Sequence, residues 1–512
     1  MTFSLRQPAP LALLTVLLLY NVATLGRVPA YWNDDDGFYA SAAWQFWRTG
    51  KPGVPGYQDI VGLERDVWAN GRTAAAVQGV FTRLAGVSFF AAVLPSFLAG
   101  IGLLAATHAL GRSLWDASTA GLAVLLLAAS GKFFDACRWA RPDILLAVCF
   151  VAALWLVASA PPEKPARRLF LSGLLMGISG DVHLNGFVLA PVPLLFWLLL
   201  RRARSGRGRA AAAYCAAVAA GALLWLALHY WPDPAAFREQ FAVYGGPTHS
   251  QRLLERSWSA ALQAEAGRYT DWFWAARGHR HLLEGLCTLA AGAWLLWRES
   301  TTGVALVGGW LAFFVLAAAF MSNPFGWYLI LVWPLFALWM ARFFLALPWP
   351  RLTRLAMLAL FSAYAVNLGL WGWKAFPDTP LRSRSAELRT AIPADAPVVA
   401  NGAFWFAFWD RDFTDESYVR FRRHQAQVNG GSDPASWATE QKKRGWRYIV
   451  ASGNLRRFLD PAEPLEPLIS SDFHSDDAAH IRETRAFSLA RCSVERRLEG
   501  LADSILILRV HE

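Results

Sequence analysis

LALLTVLLLYNVATLGRVPAYWNDDDGFYA, Leu11–Ala40, joins an apolar run directly to three consecutive carboxylates. A membrane span needs about 20 apolar residues, and the run from about Pro10 to Leu25 is short but close to that length. Arg6, this run and Val28–Ala30 also fit a cleaved signal peptide. A retained first helix is the better reading, because the acids that follow make sense only when tethered there. Asp34, Asp35 and Asp36 then stand just beyond a membrane segment, flanked by Tyr31, Trp32, Phe38 and Tyr39. Helix capping and the helix dipole account for one or two acids at a helix start. Three side by side repel one another, which raises a pKa unless a cation, a metal or a hydroxyl compensates. A carboxylate held at a membrane surface suits a general base acting on a hydroxyl.

The rest of the chain supports the membrane reading. Of 512 residues, 55% are hydrophobic and 17% charged, against about 25% charged in soluble domains. The 26 Trp residues suit an interfacial aromatic belt. The net charge of +11 is uneven. Lys374–Glu512 holds 20 basic and 20 acidic residues, leaving 29 of the 49 basic against 18 of the 38 acidic in Met1–Trp373. A basic excess confined to the apolar part points to cytoplasmic loops and anionic lipid, not to nucleic acid. The five cysteines form no CxxC or Cys/His spacing, and the tail has only Cys492.

Spans are expected at about 9–28, 87–110, 118–134, 143–160, 168–182, 186–200, 210–230, 282–297, 302–321, 328–345 and 355–373, about eleven in all. Basic residues such as Arg112, Arg167, Arg168, Arg201, Arg202, Arg298 and Arg351 fall in alternate loops, whereas Asp181–Asn185 and Ser322–Gly326 carry no Lys or Arg. The positive-inside rule therefore puts two long loops, 29–86 and 231–281, and the tail outside the cytoplasm. The first loop holds two helical patterns, DGFYASAAWQFWRTG and TAAAVQGVFTRLAG. The tail reads as a soluble α/β domain, with strands at APVVAN, WRYIVAS and SILILRV and helices at SAELRTAI and SWATEQKKRG.

Two further segments put ionisable residues on the same side as the acidic triplet. In DACRWARPDILLAV, Asp135–Val148, Arg138 and Arg141 precede Asp143, which opens a span. An Arg–Asp pair snorkelling at a helix end is the plain reading, but charge at a span mouth marks a site by default. In GLLMGISGDVHLNGF, Gly173–Phe187, the short turn carries Asp181, His183 and Asn185.

These elements together resemble the GT-C glycosyltransferases that use polyprenyl-phosphate sugars, the protein O-mannosyltransferase and lipid A aminoarabinose transferase groups. Asp35–Ala40, DDGFYA, is similar to the family's acidic pair followed by Tyr-Ala, with Asp36 in place of Glu. Arg141-Pro142-Asp143 matches Arg-x-Asp, and Gly173 to His183 matches a turn that often ends in Lys. Arg72 in NGRTAA stands where Lys-Pro-Pro is common, and Asn323–Pro334 resembles a late Tyr-rich span start. The resemblance covers roughly Pro10–Trp373 and implies a membrane GT-C catalytic domain over 1–373, with 374–512 as the soluble non-cytoplasmic domain.

The resemblance implies an inverting transfer from a polyprenyl-phosphate sugar to a lipid, glycan or protein acceptor, at the periplasmic face of a bacterial inner membrane. Asp35 would be the base, with Asp36 and Asp143 beside it and Asp34 capping the helix. Arg72, Arg138, Arg141 and His183 would hold the donor phosphate. Tyr39, Asn185, His249, Arg252 and Tyr328 would contact substrate. The resemblance fixes no cofactor, and a divalent metal with Asp36 as ligand is left open. The competing reading is a lipid or sugar transporter. It calls for ionisable residues deep in the spans or matched broken helices, whereas the polar residues here gather at one face.

Overall fold

Apolar runs in this chain become helices because a helix satisfies every backbone N–H and C=O within its own segment. A computed structural model describes residues 7–25, 34–68, 71–201, 207–244, 257–275, 281–299, 301–321, 326–375, 381–428, 436–460, 475–498 and 505–511. The first helices are α1 (Pro8–Ala23), α2 (Asp34–Thr49), α3 (Arg72–Ala85), α4 (Phe89–Leu114), α5 (Ala117–Ala129), α6 (Gly131–Ala136) and α7 (Asp143–Ala158). They are followed by α8 (Ala166–Val182), α9 (Asn185–Leu189), α10 (Pro191–Leu200), α11 (Arg207–His229) and α12 (Pro234–Tyr244). Then come α13 (Trp258–Thr270), α14 (Leu282–Arg298), α15 (Thr302–Phe320), α16 (Trp333–Ala346) and α17 (Pro350–Ala375).

Among the described residues, four helical segments are long and apolar enough to cross a membrane: Phe89–Leu114, Arg207–His229, Thr302–Phe320 and Thr353–Leu370. Five more are apolar but shorter: Pro8–Ala23, Ala117–Ala129, Asp143–Ala158, Asn185–Leu200 and Trp333–Ala346.

One expected span is broken. Between α5 and α6, Ser130 takes an extended ψ of 141° and its side chain accepts from the Phe133 N–H at 3.3 Å, starting a new helix. Another expected span opens not as an α-helix but as a 3-10 turn, Gly326–Leu331, which precedes α16.

Close helix packing has a local cause. A Cβ at Gly221 of α11 would lie 2.5 Å from the Cα of Gly177 on α8, so these two helices meet backbone to backbone. At the start of α3, a Cβ on Gly71 would overlap the Asp181 carbonyl at the end of α8.

The tail forms a five-stranded sheet of order β2-β1-β3-β5-β4. The strands are β1 (Val398–Ala400), β2 (Phe413–Asp415), β3 (Tyr448–Ala451), β4 (Cys492–Leu498) and β5 (Ile505–Val510). β1 pairs parallel with β2 and β3, while β5 runs antiparallel to β3 and β4. The sequence pattern misses β2 because three residues show no alternation. It misses β4 because this edge strand exposes Glu495, Arg496 and Arg497 and lacks a buried face.

The sheet shares a core with the first long loop. Phe38 and Ala42 of α2, together with Val54, Tyr57, Ile60 and Leu63, form one apolar cluster with Val399, Tyr418, Trp437, Trp446 and Ile449. Tyr57 Oη and Ser417 Oγ lie 2.7 Å apart. Arg444 donates to the Gln58 carbonyl at 2.6 Å and to Asp59 at 2.9 Å. Within this loop Asp59 and Val61 adopt φ of 62° and 43°, an uncommon region for residues with a Cβ. α2 is thus clasped between α3 and the sheet, which is why its opening acids are held in place.

Candidate active site

The acidic triplet opens α2. Asp34 stands at the described start of the helix. Asn33, the position before it, lies outside the described residues. Asp35 and Asp36 point to different partners, as consecutive helical residues must.

Asp36 is 3% exposed, and its Oδ1 accepts the Ala140 N–H at 2.7 Å. The same strand of chain is gripped twice more. Ser96 Oγ donates to the Trp139 carbonyl at 2.7 Å, and Gln78 Nε2 donates to the carbonyls of Ala92 and Ala140 at 2.9 and 3.3 Å. These bonds aim the next residue, Arg141. Its Nη1 donates to Asp35, and its Nε donates to Asp143 Oδ2 at 2.7 Å. Arg141 and Asp143 keep only 5% and 4% of their side-chain surface exposed, while Asp35 keeps 42%. One buried cation therefore joins two carboxylates, one sealed and one facing open space. Asp143 Oδ1 is buried without a hydrogen-bond partner among the described residues.

The wall of protein around Asp35 withdraws water from its carboxyl and pushes its pKa above the ordinary carboxylate range. Arg141 opposes that rise and Asp143 adds to it. Tyr39 lies on the same helix, with the Arg141 guanidinium carbon 5.7 Å from its ring centre. A shallow cleft opens here, with Tyr39, Val77, Gln78, Pro95, Arg141 and Leu145 on its walls.

His183 follows the end of α8 and faces Tyr328 edge-on, with ring centres 5.8 Å apart. Burial lowers the His183 pKa, Asp143 opposes this and Arg141 reinforces it. Its Nδ1 accepts the Asn185 N–H at 3.1 Å, so in the neutral ring the proton sits on Nε2. His183 is therefore a neutral donor rather than the extra cation expected at this turn. Asn185 opens α9 beside it.

Arg72 stands at the start of α3 in a neighbouring network. It donates to Asp66 Oδ2 at 3.0 Å and its guanidinium carbon lies 5.4 Å from the Trp68 ring centre. Asp181 receives the Thr73 N–H at 2.9 Å and the Thr73 hydroxyl at 2.5 Å on Oδ2, capping α3 from a different helix. His229 Nε2 lies 2.6 Å from Asp181 Oδ1, and Gln240 Nε2 donates to the Asp66 carbonyl at 2.7 Å. His229 and Gln240 were not singled out in the sequence, because a His ending a span and a Gln on a polar helix carry no signal.

Arg138, expected to hold donor phosphate, bonds to α1 and to its own segment. It is 2% exposed and its guanidinium donates to Asn21 Oδ1 at 2.5 Å, to the Asn21 carbonyl at 2.9 Å and to Thr24. This arginine ties α1 to the segment after α6. His249 and Arg252 lie outside the described residues.

Two buried cations were missed. Arg268 on α13 is 2% exposed and pairs with Glu265, while its Nε and Nη1 have no hydrogen-bond partner among the described residues. In the sequence it looks like one more arginine on an amphipathic helix. Lys132 is 1% exposed on α6, and its charge inside an expected span was the available signal.

Among the described residues, no group of three or more His, Cys, Asp or Glu side chains is arranged to hold a metal ion. Asp35 and Asp143 are both committed to Arg141, and Asp36 holds a backbone N–H.

The arrangement has relatives. The family profile described as dolichyl-phosphate-mannose-protein mannosyltransferase matches residues 73–231. ArnT from Cupriavidus metallidurans, solved bound to undecaprenyl phosphate, superposes with a TM-score of 0.65 at 13% identity, over 97% of each chain. The archaeal oligosaccharyltransferase AglB from Archaeoglobus fulgidus, in complex with an inhibitory peptide and a dolichol-phosphate, gives a TM-score of 0.54 at 12% identity. That match covers 88% of this chain and 70% of AglB. No curated protein matches the chain by sequence. The chain thus has the GT-C fold of the membrane glycosyltransferases, and its segment 73–231 carries the sequence pattern of the dolichyl-phosphate-mannose-protein mannosyltransferases.

Proposed function

We propose that this chain is an inverting glycosyltransferase that moves a sugar from a polyprenyl-phosphate donor to an acceptor hydroxyl or phosphate. The observation that carries the proposal is the buried Arg141 tied to both Asp35 and Asp143 beside a cleft with largely apolar walls. An apolar wall ending at a fixed guanidinium, Arg141, suits a lipid phosphate, whose tail avoids water and whose head needs charge.

In this reading Asp35 takes the proton of the acceptor O–H. The acceptor oxygen bonds to the anomeric carbon from the side opposite the phosphate. The carbon–oxygen bond to the phosphate breaks, and its electron pair leaves with the polyprenyl phosphate. Arg72, Arg268 and the Nε2–H of His183 stabilise that anion, as fixed donors do for any developing charge. Tyr39, Asn185 and Tyr328 line the sugar, and the unpaired Oδ1 of Asp143 receives an acceptor hydroxyl. Asp36 acts at one remove, by holding the turn that aims Arg141.

The solved relatives support the donor class, since one was solved with undecaprenyl phosphate and the other with a dolichol-phosphate and a peptide. The charge pattern of the loops supports a site on the periplasmic face of a bacterial inner membrane, with residues 374–512 as an extracytoplasmic domain over 1–373. Lipid A, a surface polysaccharide and a protein are the acceptor classes to screen.

The test is transfer of label from a panel of undecaprenyl-phosphate sugars by purified protein, wild type against Asp35→Asn. Transfer by the wild type that falls by about 100-fold or more in Asp35→Asn is the expected result. Equal transfer by the two proteins refutes the base assignment, and no transfer from any donor refutes the function.

A further inference from the structure

Lys132 is a buried charge that the transfer reaction does not use. It sits two residues after the break at Ser130, and its side chain is 1% exposed. Its ammonium lies 3.5 Å over the centre of the Trp272 ring, with Trp139 at 5.8 Å. Trp272 is itself buried and stacks on His281, with ring centres 4.4 Å apart and planes inclined by 24°. From this seat Lys132 Nζ donates to the Gly326 carbonyl at 2.8 Å.

Gly326 opens the six-residue 3-10 turn that carries Tyr328. Turns of this kind have poor internal hydrogen-bond geometry, so their placement depends on outside ties. Tyr328 leaves that turn to face His183, within electrostatic reach of Arg141 and Arg268. A hydrated lysine side chain has many conformers, but one seated on an aromatic face and bonded to a carbonyl is a fixed strut.

We infer that Lys132 is a positioning residue: seated on Trp272, it holds the Gly326 carbonyl and so sets where Tyr328 stands beside Arg141 and His183. The inference rests on the reading of that site as the transfer centre, and two measurements separate it from that reading.

The first places 3-fluorotyrosine at position 328 in the full chain in lipid nanodiscs and follows its 19F resonance. Lys132→Met has similar length without the charge or the donor, and it is expected to shift and broaden the resonance. Lys132→Arg keeps both and is expected to stay near the wild-type position. Trp272→Phe, which weakens the seat while keeping a ring, is expected to move the resonance less but in the same direction. It serves if Lys132→Met does not fold.

The second is a cycle on sugar transfer. Lys132→Met and Tyr328→Phe are each expected to lose about tenfold, and the double variant about tenfold as well, because one acts through the other. An unmoved resonance, or losses that multiply to about a hundredfold, overturns the inference. A resonance that moves while the wild type transfers no sugar from any donor upholds the positioning and retires the transfer reading.

Discussion

Arg141 offers the sharpest test, because it controls the ionisation of the proposed base and not only the rate. Asp35 is pushed upward by loss of water, pulled down by Arg141 and pushed up again by Asp143. A general base acts when unprotonated, so transfer rises with pH through the Asp35 pKa. Arg141→Gln leaves burial and Asp143 unopposed and moves the acid limb of kcat/KM to higher pH. Two unit charges about 4 Å apart interact by about 4 kcal/mol at an effective dielectric of about 20. Asp35 keeps 42% of its side chain exposed, so screening reduces this to about 1 kcal/mol. Asp143→Asn removes an upward push, so its limb moves to lower pH. The shift is smaller, because Asp143 is the lesser of the two charge effects on Asp35. The position of the limb is independent of its height, so a general loss of activity does not mimic the result. The assay is kcat/KM for label transfer across pH from about 4 to about 9. Limbs that shift in the same direction, or that do not shift, refute the proposed circuit. Folding must be followed in parallel, since breaking a pair as buried as Arg141–Asp143 costs about 3–5 kcal/mol.

Arg138→Met is expected to lower thermal stability by about 3 kcal/mol through its lost bonds to Asn21 and Thr24, while the folded fraction keeps its KM for donor; a raised KM would return Arg138 to the site. His229→Phe strips Asp181 Oδ1 and the Trp68 carbonyl of their donor and should cost about 2–4 kcal/mol, read as a lowered unfolding midpoint in mild detergent. Asp59→Ala loses the pairing to Arg444 and keeps the left-handed φ of 62°, whereas Asp59→Gly loses the pairing and relieves the backbone. The glycine variant should therefore be the more stable by about 1 kcal/mol, and equal midpoints would show that the loop carries no strain there.

Much of the helical architecture was legible because hydrocarbon imposes one rule along every span, and that rule is written in local composition. The break at Ser130 was not, since a serine inside an apolar run signals a cap only when the next turn folds away from the first. The five-stranded sheet was half legible. Its central strands β1, β3 and β5 are continuous apolar runs, whereas β2 is three residues long and β4 is a charged edge, each defined by hydrogen bonds to a neighbour. The site shows the same division. The triplet, Arg141-Pro142-Asp143 and His183 stood out because charge at a span mouth is costly and so conspicuous. Arg138 and Arg141 looked alike, three residues apart in one segment. The packing of α1 brings Asn21 and Thr24 to Arg138, whereas the bonds of Asp36, Gln78 and Ser96 to residues 139–140 set the turn that brings Arg141 to Asp35. Charge, hydropathy and short motifs are local properties, and the sequence by itself determined the helices, their polar mouths and the residue types gathered there. Which carboxylate meets which cation depends on contacts between segments more than 100 positions apart, such as Asp35 with Arg141, and that was decided by the tertiary structure alone.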